Sequence, residues 1–252
     1  FVVLLALLAA VCLPAVWAAA DTVVQFADPV LEQRIRNWFD RPTGDFYTGD
    51  FMMETYLGLA GGDGGEQITD LSGLEYFTNL EVLELYNNAV TDLTPLTGLQ
   101  HLREVDLGGN QVSDLSPLAG KDLTLLALWE NNVSDISALA DMFNLEILDL
   151  CNNHITDISA LEGKSKLTYL ALGGNPIANY SPVADYYDGI AEKDFDLNAT
   201  PPVIDEATAD EVITFTDPVL EARVRQEIGV PDGDITRGTA QSITGLELAT
   251  PD

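Results

Sequence analysis

One template is written five times along the middle of this chain. The segments LEVLELYNN (80–88), LREVDLGGN (102–110), LTLLALWEN (123–131), LEILDLCNN (145–153) and LTYLALGGN (167–175) share the pattern LxxLxLxxN. Their asparagines, Asn88, Asn110, Asn131, Asn153 and Asn175, are spaced by 22, 21, 22 and 22 residues. After each asparagine comes a second shared stretch: AVTDLTPL, QVSDLSPL, NVSDISAL, HITDISAL and PIANYSPV. An earlier partial copy, ITDLSGLEYF from Ile68 to Phe77, supplies the second half of a preceding unit. A unit of this size cannot bury its apolar face alone, so it must stack on its neighbours.

In LxL the two leucines sit at period two and point to one face of a short strand. Pairs such as Leu83 with Leu85, Leu126 with Leu128 and Leu170 with Leu172 then build the inner face. Stacked, they form a parallel ladder in which each buried leucine contributes on the order of 1.5–3 kcal/mol. The asparagine follows the strand, where its side chain can satisfy buried backbone groups of the turn. Asp92, Asp114, Asp135 and Asp157 recur at one later position. Each is expected to cap the N–H groups of a short helical turn on the outer side; a calcium or catalytic role is the alternative. The fold class predicted is α/β, a solenoid shaped as a right-handed horseshoe with parallel strands on its concave face and 3-10 turns on its convex face.

A longer repetition sets the domain layout. Residues 23–60 align without gaps to residues 212–249, with 17 of 38 positions identical. In the first copy Leu31, Ile35, Trp38 and Phe39 fall on one helical face, after an Asp28-Pro29 start that supplies an N-cap acceptor and a first-turn proline. Such a helix covers the exposed leucines of the first strand and acts as a cap. The second copy keeps Asp217-Pro218, Leu220, Val224 and Ile228. The layout expected is therefore a signal peptide (1–20), an N-terminal cap (21–60), repeats with a C-terminal closing helix (61–195), an acidic linker (196–211) and the start of a second cap and repeat module (212–252). Both ends read as cut.

Composition narrows function. With 11 Lys and Arg against 41 Asp and Glu, the formal charge is −30, which argues against nucleic-acid binding. Residues 1–20 carry no charge and end in Ala18-Ala19-Ala20, as a secretory signal does; a retained membrane anchor is the alternative. Cys12 follows bulky Val11 and is a poor lipoprotein site, leaving Cys151 as the one mature cysteine. His101 and His154 lack metal-ligand spacing. The glycine strings GGN and GGDGG lack the spacing of a phosphate loop. No catalytic residue, metal site or cofactor is expected. The acidity is compatible with a basic partner or with a saline habitat.

The template LxxLxLxxN-x-[VI]-x-D-[LI]-x-x-L resembles the leucine-rich repeats of the internalin type found on bacterial surface proteins. The segment FADPVLEQRIR leading into ITDLSGLEYFTNLEVLEL is similar to the helical N-terminal cap of that group. The likeness covers residues 23–195 and 212–252, and departs where GGDGGE separates LGL from ITDL. It implies an exported, non-enzymatic binding protein, often adhesive, located outside the bacterial cell or on its wall. The partner expected is a protein or glycan, a basic one among the candidates, met by a monomeric chain with no membrane span after signal cleavage. Rival readings make these modules the targeting arm of a larger secreted enzyme or a passive wall spacer.

The register also names the candidate surface. Side chains flanking the ladder leucines point away from the core. Tyr86, Leu125, Trp129, Ile147 and Tyr169 are apolar or aromatic groups that this register turns to solvent, with Glu84, Glu104, Asp106, Glu130 and Asp149 as acidic neighbours. The other reading is that they pack side by side across repeats.

Overall fold

The computed structural model describes residues 21–62 and 65–197, with Ile235 alone beyond them. The signal segment, nearly all of the linker and the second cap lie outside the described residues.

Seven parallel strands form one sheet in strict chain order. They are β3 (Tyr56–Gly58), β4 (Val82–Glu84), β5 (Glu104–Asp106), β6 (Leu125–Ala127), β7 (Ile147–Asp149), β8 (Tyr169–Ala171) and β9 (Glu192–Lys193). Their register runs Leu57, Leu83, Val105, Leu126, Leu148 and Leu170, the period that the LxL pairs require. All six of these side chains are fully buried, as are Leu59, Leu85, Leu107, Leu128, Leu150 and Leu172 two residues on. Opposite the sheet, 3-10 turns at Leu74–Tyr76, Thr94–Leu96, Ser116–Leu118, Ser137–Leu139 and Ser159–Leu161 alternate with the strands. The chain is thus a leucine-rich-repeat solenoid.

The asparagines run through the core as a ladder. Asn131 Nδ2 donates to Leu107 O at 2.9 Å, Leu128 O at 3.1 Å and Trp129 O at 3.2 Å, while its Oδ1 accepts from Val112 N at 2.9 Å. Asn88, Asn110, Asn153 and Asn175 repeat this arrangement. One amide thereby serves both its own turn and the neighbouring unit. The recurrent aspartates also act as expected, one residue further out. Asp92, Asp114, Asp135 and Asp157 each accept at 2.8 Å from the N–H of the first residue in the 3-10 turn two positions on.

The cap consists of β1 (Val23–Val24), antiparallel to β2 (Phe46–Tyr47), and helix α1 (Pro29–Trp38). Leu31 and Ile35 are buried at the open end of the leucine core. Asp28 accepts from Val30 N and Leu31 N with Oδ1, capping α1, and from Thr69 with Oδ2. Burial pushes this carboxyl up, and the hydrogen bonds from Thr69 and Leu31 overcome it, so its pKa lies below the usual value. Arg34 adds bonds to the carbonyls of Leu59, Ala60 and Glu66 and to Asn88 Oδ1. Beneath them Phe51 stacks on Phe77 with ring centres 4.3 Å apart.

The far end closes with a nine-residue 3-10 run, Ser181–Gly189, and β9. Asp194 just past β9 accepts from Leu172 N at 2.7 Å and Gly173 N at 2.8 Å, satisfying N–H groups that lie beyond the two residues by which β9 pairs with β8. Within the GGDGGE departure, a steric requirement falls on Gly61. A Cβ there would lie 1.5 Å from Asn87 O, so only glycine fits, while Gly61 N donates to Tyr86 O at 2.7 Å.

The column Phe77, Leu99, Lys121, Met142 and Lys164 was not anticipated. It lies in the core, yet two of its members are lysines, 3% and 0% exposed. Lys121 Nζ donates to Thr97 O and Leu99 O, and Lys164 Nζ to Ala140 O and Met142 O. Exposed Phe143 covers the Lys164 ammonium, 4.9 Å from its ring centre. Burial holds both lysines below the usual pKa.

Candidate functional site

The outward faces of the strands form two rows. One runs Tyr56, Val82, Glu104, Leu125, Ile147, Tyr169 and Glu192; the other runs Gly58, Glu84, Asp106, Ala127, Asp149 and Ala171. A third row, one step past the second ladder leucine, holds Tyr86, Gly108, Trp129, Cys151 and Gly173. Nine of the ten expected residues, Tyr86, Leu125, Trp129, Ile147, Tyr169, Glu84, Glu104, Asp106 and Asp149, share this face. Glu130 does not. It turns the chain after β6 in the left-handed region (φ 52°) and lines a polar groove of about 820 Å³ with Asn87, Gln111, Asn132, Asn152 and His154.

Exposure separates the apolar members. Ile147 is 38% exposed, whereas Tyr86, Leu125, Trp129 and Tyr169 are half-buried. Trp129 lies over the preceding repeat, so close that a Cβ on Gly108 would sit 2.0 Å from its Cε2. Part of this indole is therefore a cross-repeat contact, and the glycine opposite it is what lets the ring lie flat.

The face is electronegative and its acids are not neutralised by bases. The ion pairs among the described residues, Arg36–Glu32, Arg41–Asp50 and Arg103–Asp122, leave Glu84, Glu104, Asp106 and Asp149 unpaired. Burial raises the Asp106 pKa, the Gly108 N–H opposes this, and the nearby Glu84 and Asp149 charges raise it further. Burial also raises the Tyr169 hydroxyl, with Asp149 adding to the effect. Cys151 is pushed up by burial and by donating its thiol proton to Asp194 Oδ2 at 3.0 Å, which disfavours the reactive thiolate.

Two aromatic side chains at the start of this face were missed. Tyr56 precedes the first leucine of the LGL pair and belongs to the row of Tyr169; Trp38 reaches it from the end of α1. The signal for Tyr56 was present, because Leu57-x-Leu59 is itself a ladder pair. By its spacing Trp38 belongs to the helix's apolar face, and only the docking of α1 leaves it 39% exposed. Among the described residues no group of three His, Cys, Asp or Glu could hold a metal ion, and no helix is long and apolar enough to cross a membrane.

Residues 78–120 and 143–185 match the family described as leucine rich repeats (2 copies). An internalin (inlF) from Listeria monocytogenes is 33% identical, over 65% of this chain and 48% of that one, with a TM-score of 0.61. An internalin C2 (inlC2) from the same organism is 26% identical over 68% of this chain and 94% of that one, with a TM-score of 0.42. A leucine-rich-repeat protein from Leptospira interrogans is 26% identical over 51% of this chain and 35% of that one, with a TM-score of 0.47. No curated protein matches the sequence. The chain carries leucine-rich repeats and is similar to internalins, and it spans about half the length of the inlF internalin.

Proposed function

We propose that this chain is a non-catalytic binding module of the bacterial exterior that recognises a protein partner through its concave face. The supporting observation is the strand register. It sets Leu125, Ile147 and Tyr169 side by side in one row, with Tyr86 and Trp129 in the adjoining row and unpaired carboxylates between them. Large apolar groups in solvent are costly unless a partner covers them, and Trp and Tyr are the residue types enriched among binding hot spots. Unpaired Glu84, Glu104, Asp106 and Asp149 favour a partner with a basic surface and speed its approach. The likeness to the inlF internalin supports the same reading.

The full chain, displayed against panels of extracellular proteins and of glycans, is expected to bind a protein with a basic surface. Changing Trp129 and Tyr169 together to Ala, with circular dichroism unchanged, should weaken that binding more than tenfold. Retained affinity in the folded double variant would overturn the concave-face reading. Binding confined to the glycan panel would replace the protein partner by a saccharide, and turnover of the bound ligand would overturn the non-enzymatic one.

A further inference from the structure

Where the cap meets the solenoid, two exposed rings face each other with a carboxylate at each end. Trp38, the last residue of α1, is 39% exposed and Tyr56, the first of β3, is 42% exposed. Their ring centres lie 5.6 Å apart and their planes are inclined by 47°. Trp38 Nε1 donates to Glu54 Oε2 at 3.3 Å, and Tyr56 Oη donates to Glu84 Oε2 at 2.9 Å. Gly58 lies underneath, where a Cβ would come within 3.0 Å of Tyr56 Oη and 3.5 Å of Trp38 Cζ3, so the bare backbone lets both rings lie across the strand.

The polar edges of both rings are used by the carboxylates, while Trp38 at 39% and Tyr56 at 42% exposure keep part of their ring surface in solvent. A ring face carries partial negative charge and attracts cations, most strongly when the ring is an indole. Neither Glu54 nor Glu84 has an ion pair among the described residues. Two negative groups thus flank one partly exposed aromatic pair, held there by hydrogen bonds from the rings themselves.

We propose that Trp38, Tyr56, Glu54 and Glu84 form a receptor for one arginine side chain of a protein partner. A guanidinium is planar, stacks on an aromatic face and directs separate N–H groups to two acceptors, whereas an ammonium is a compact point charge. Charge complementarity selects the cation, and two aromatic rings with a carboxylate bonded to the polar edge of each favour the planar, stacking one. The site extends the concave-face reading to its cap end, because Tyr56 and Glu84 belong to the strand rows, and it stands whether or not the Trp129–Tyr169 surface binds.

The test follows the tryptophan side-chain N–H signals of the full chain in ¹H–¹⁵N spectra, with Trp38 assigned from Trp38→Phe. The probe is the peptide acetyl-Gly-Arg-Gly-amide, compared with its lysine and citrulline counterparts. The arginine peptide should shift the Trp38 signal saturably at millimolar concentration, with the lysine peptide at least about threefold weaker and the neutral citrulline peptide inactive. Glu84→Gln should weaken the arginine peptide by about tenfold, while an unmoved Trp129 signal reports that the solenoid is intact. No saturable shift of Trp38, a citrulline peptide as effective as arginine, or tighter lysine binding overturns the proposal. A shift confined to Trp129 overturns it too, and separates its failure from that of the concave-face reading.

Discussion

Asn131 illustrates how little freedom single residues have in this stack. Its amide is buried, pairs with three carbonyls and one N–H, and serves two repeats at once. Its partners are backbone groups that no water can reach, which is why the same residue recurs wherever a strand ends. Gly108 is constrained from the other side, by the indole lying on it. Gly108→Ala is expected to force Trp129 off the sheet face, red-shift tryptophan emission and lower stability by about 1–3 kcal/mol. Unchanged emission and melting would show that the contact is slack. The asparagine column was legible because the chain repeats it. The pairing of Gly108 with Trp129 was not, because it links residues 21 positions apart through a contact that no other repeat copies.

At the scale of the element, the buried lysines set the clearest expectation. Each ammonium occupies a place that Leu99 or Met142 fills elsewhere in the column, and two carbonyls partly offset its desolvation. A buried charge of this kind can often be replaced by an apolar group of similar volume without loss. Lys164→Met should therefore leave stability within about 1 kcal/mol of the parent or raise it, whereas Lys164→Ala should lower it by about 2–4 kcal/mol through the cavity. The pH dependence has a definite sign. With the folded pKa of Lys164 below 10.5, the native state releases its proton first as pH rises, so the unfolded state holds more protons and this group's contribution to stability grows toward pH 10.5. The Lys164→Met chain should lack that increment in chemical denaturation at alkaline pH; an identical profile in both chains would contradict it.

For the whole molecule, charge is the dominant feature. A net −30 with few ion pairs means that the native state carries uncompensated repulsion. Raising NaCl from low concentration to about 0.5 M should screen it. The melting temperature of the full chain should then rise by about 2–4 °C for each kcal/mol relieved. A flat or falling melting temperature would mean that the acids are already accommodated. The acidity also divides by position. Asp92, Asp114, Asp135 and Asp157 are occupied with turn N–H groups and Asp194 with those of Leu172 and Gly173, while Glu84, Glu104, Asp106 and Asp149 remain on the strand face.

What the amino-acid order determined alone is whatever repeats: the parallel ladder, its register, the inward leucines, the asparagine column and the outward rows. Periodicity suffices for these, because every unit solves the same burial problem in the same way. Tertiary structure decided what happens once. The docking of α1 carries Trp38 to Tyr56, Trp129 settles on Gly108, Glu130 turns away from the strand face into a polar groove, and two lysines enter the core beside carbonyls that accept from them. Each of these depends on contacts between distant residues. No spacing along the chain encodes them, because the free energy that fixes them is that of side chains meeting in space.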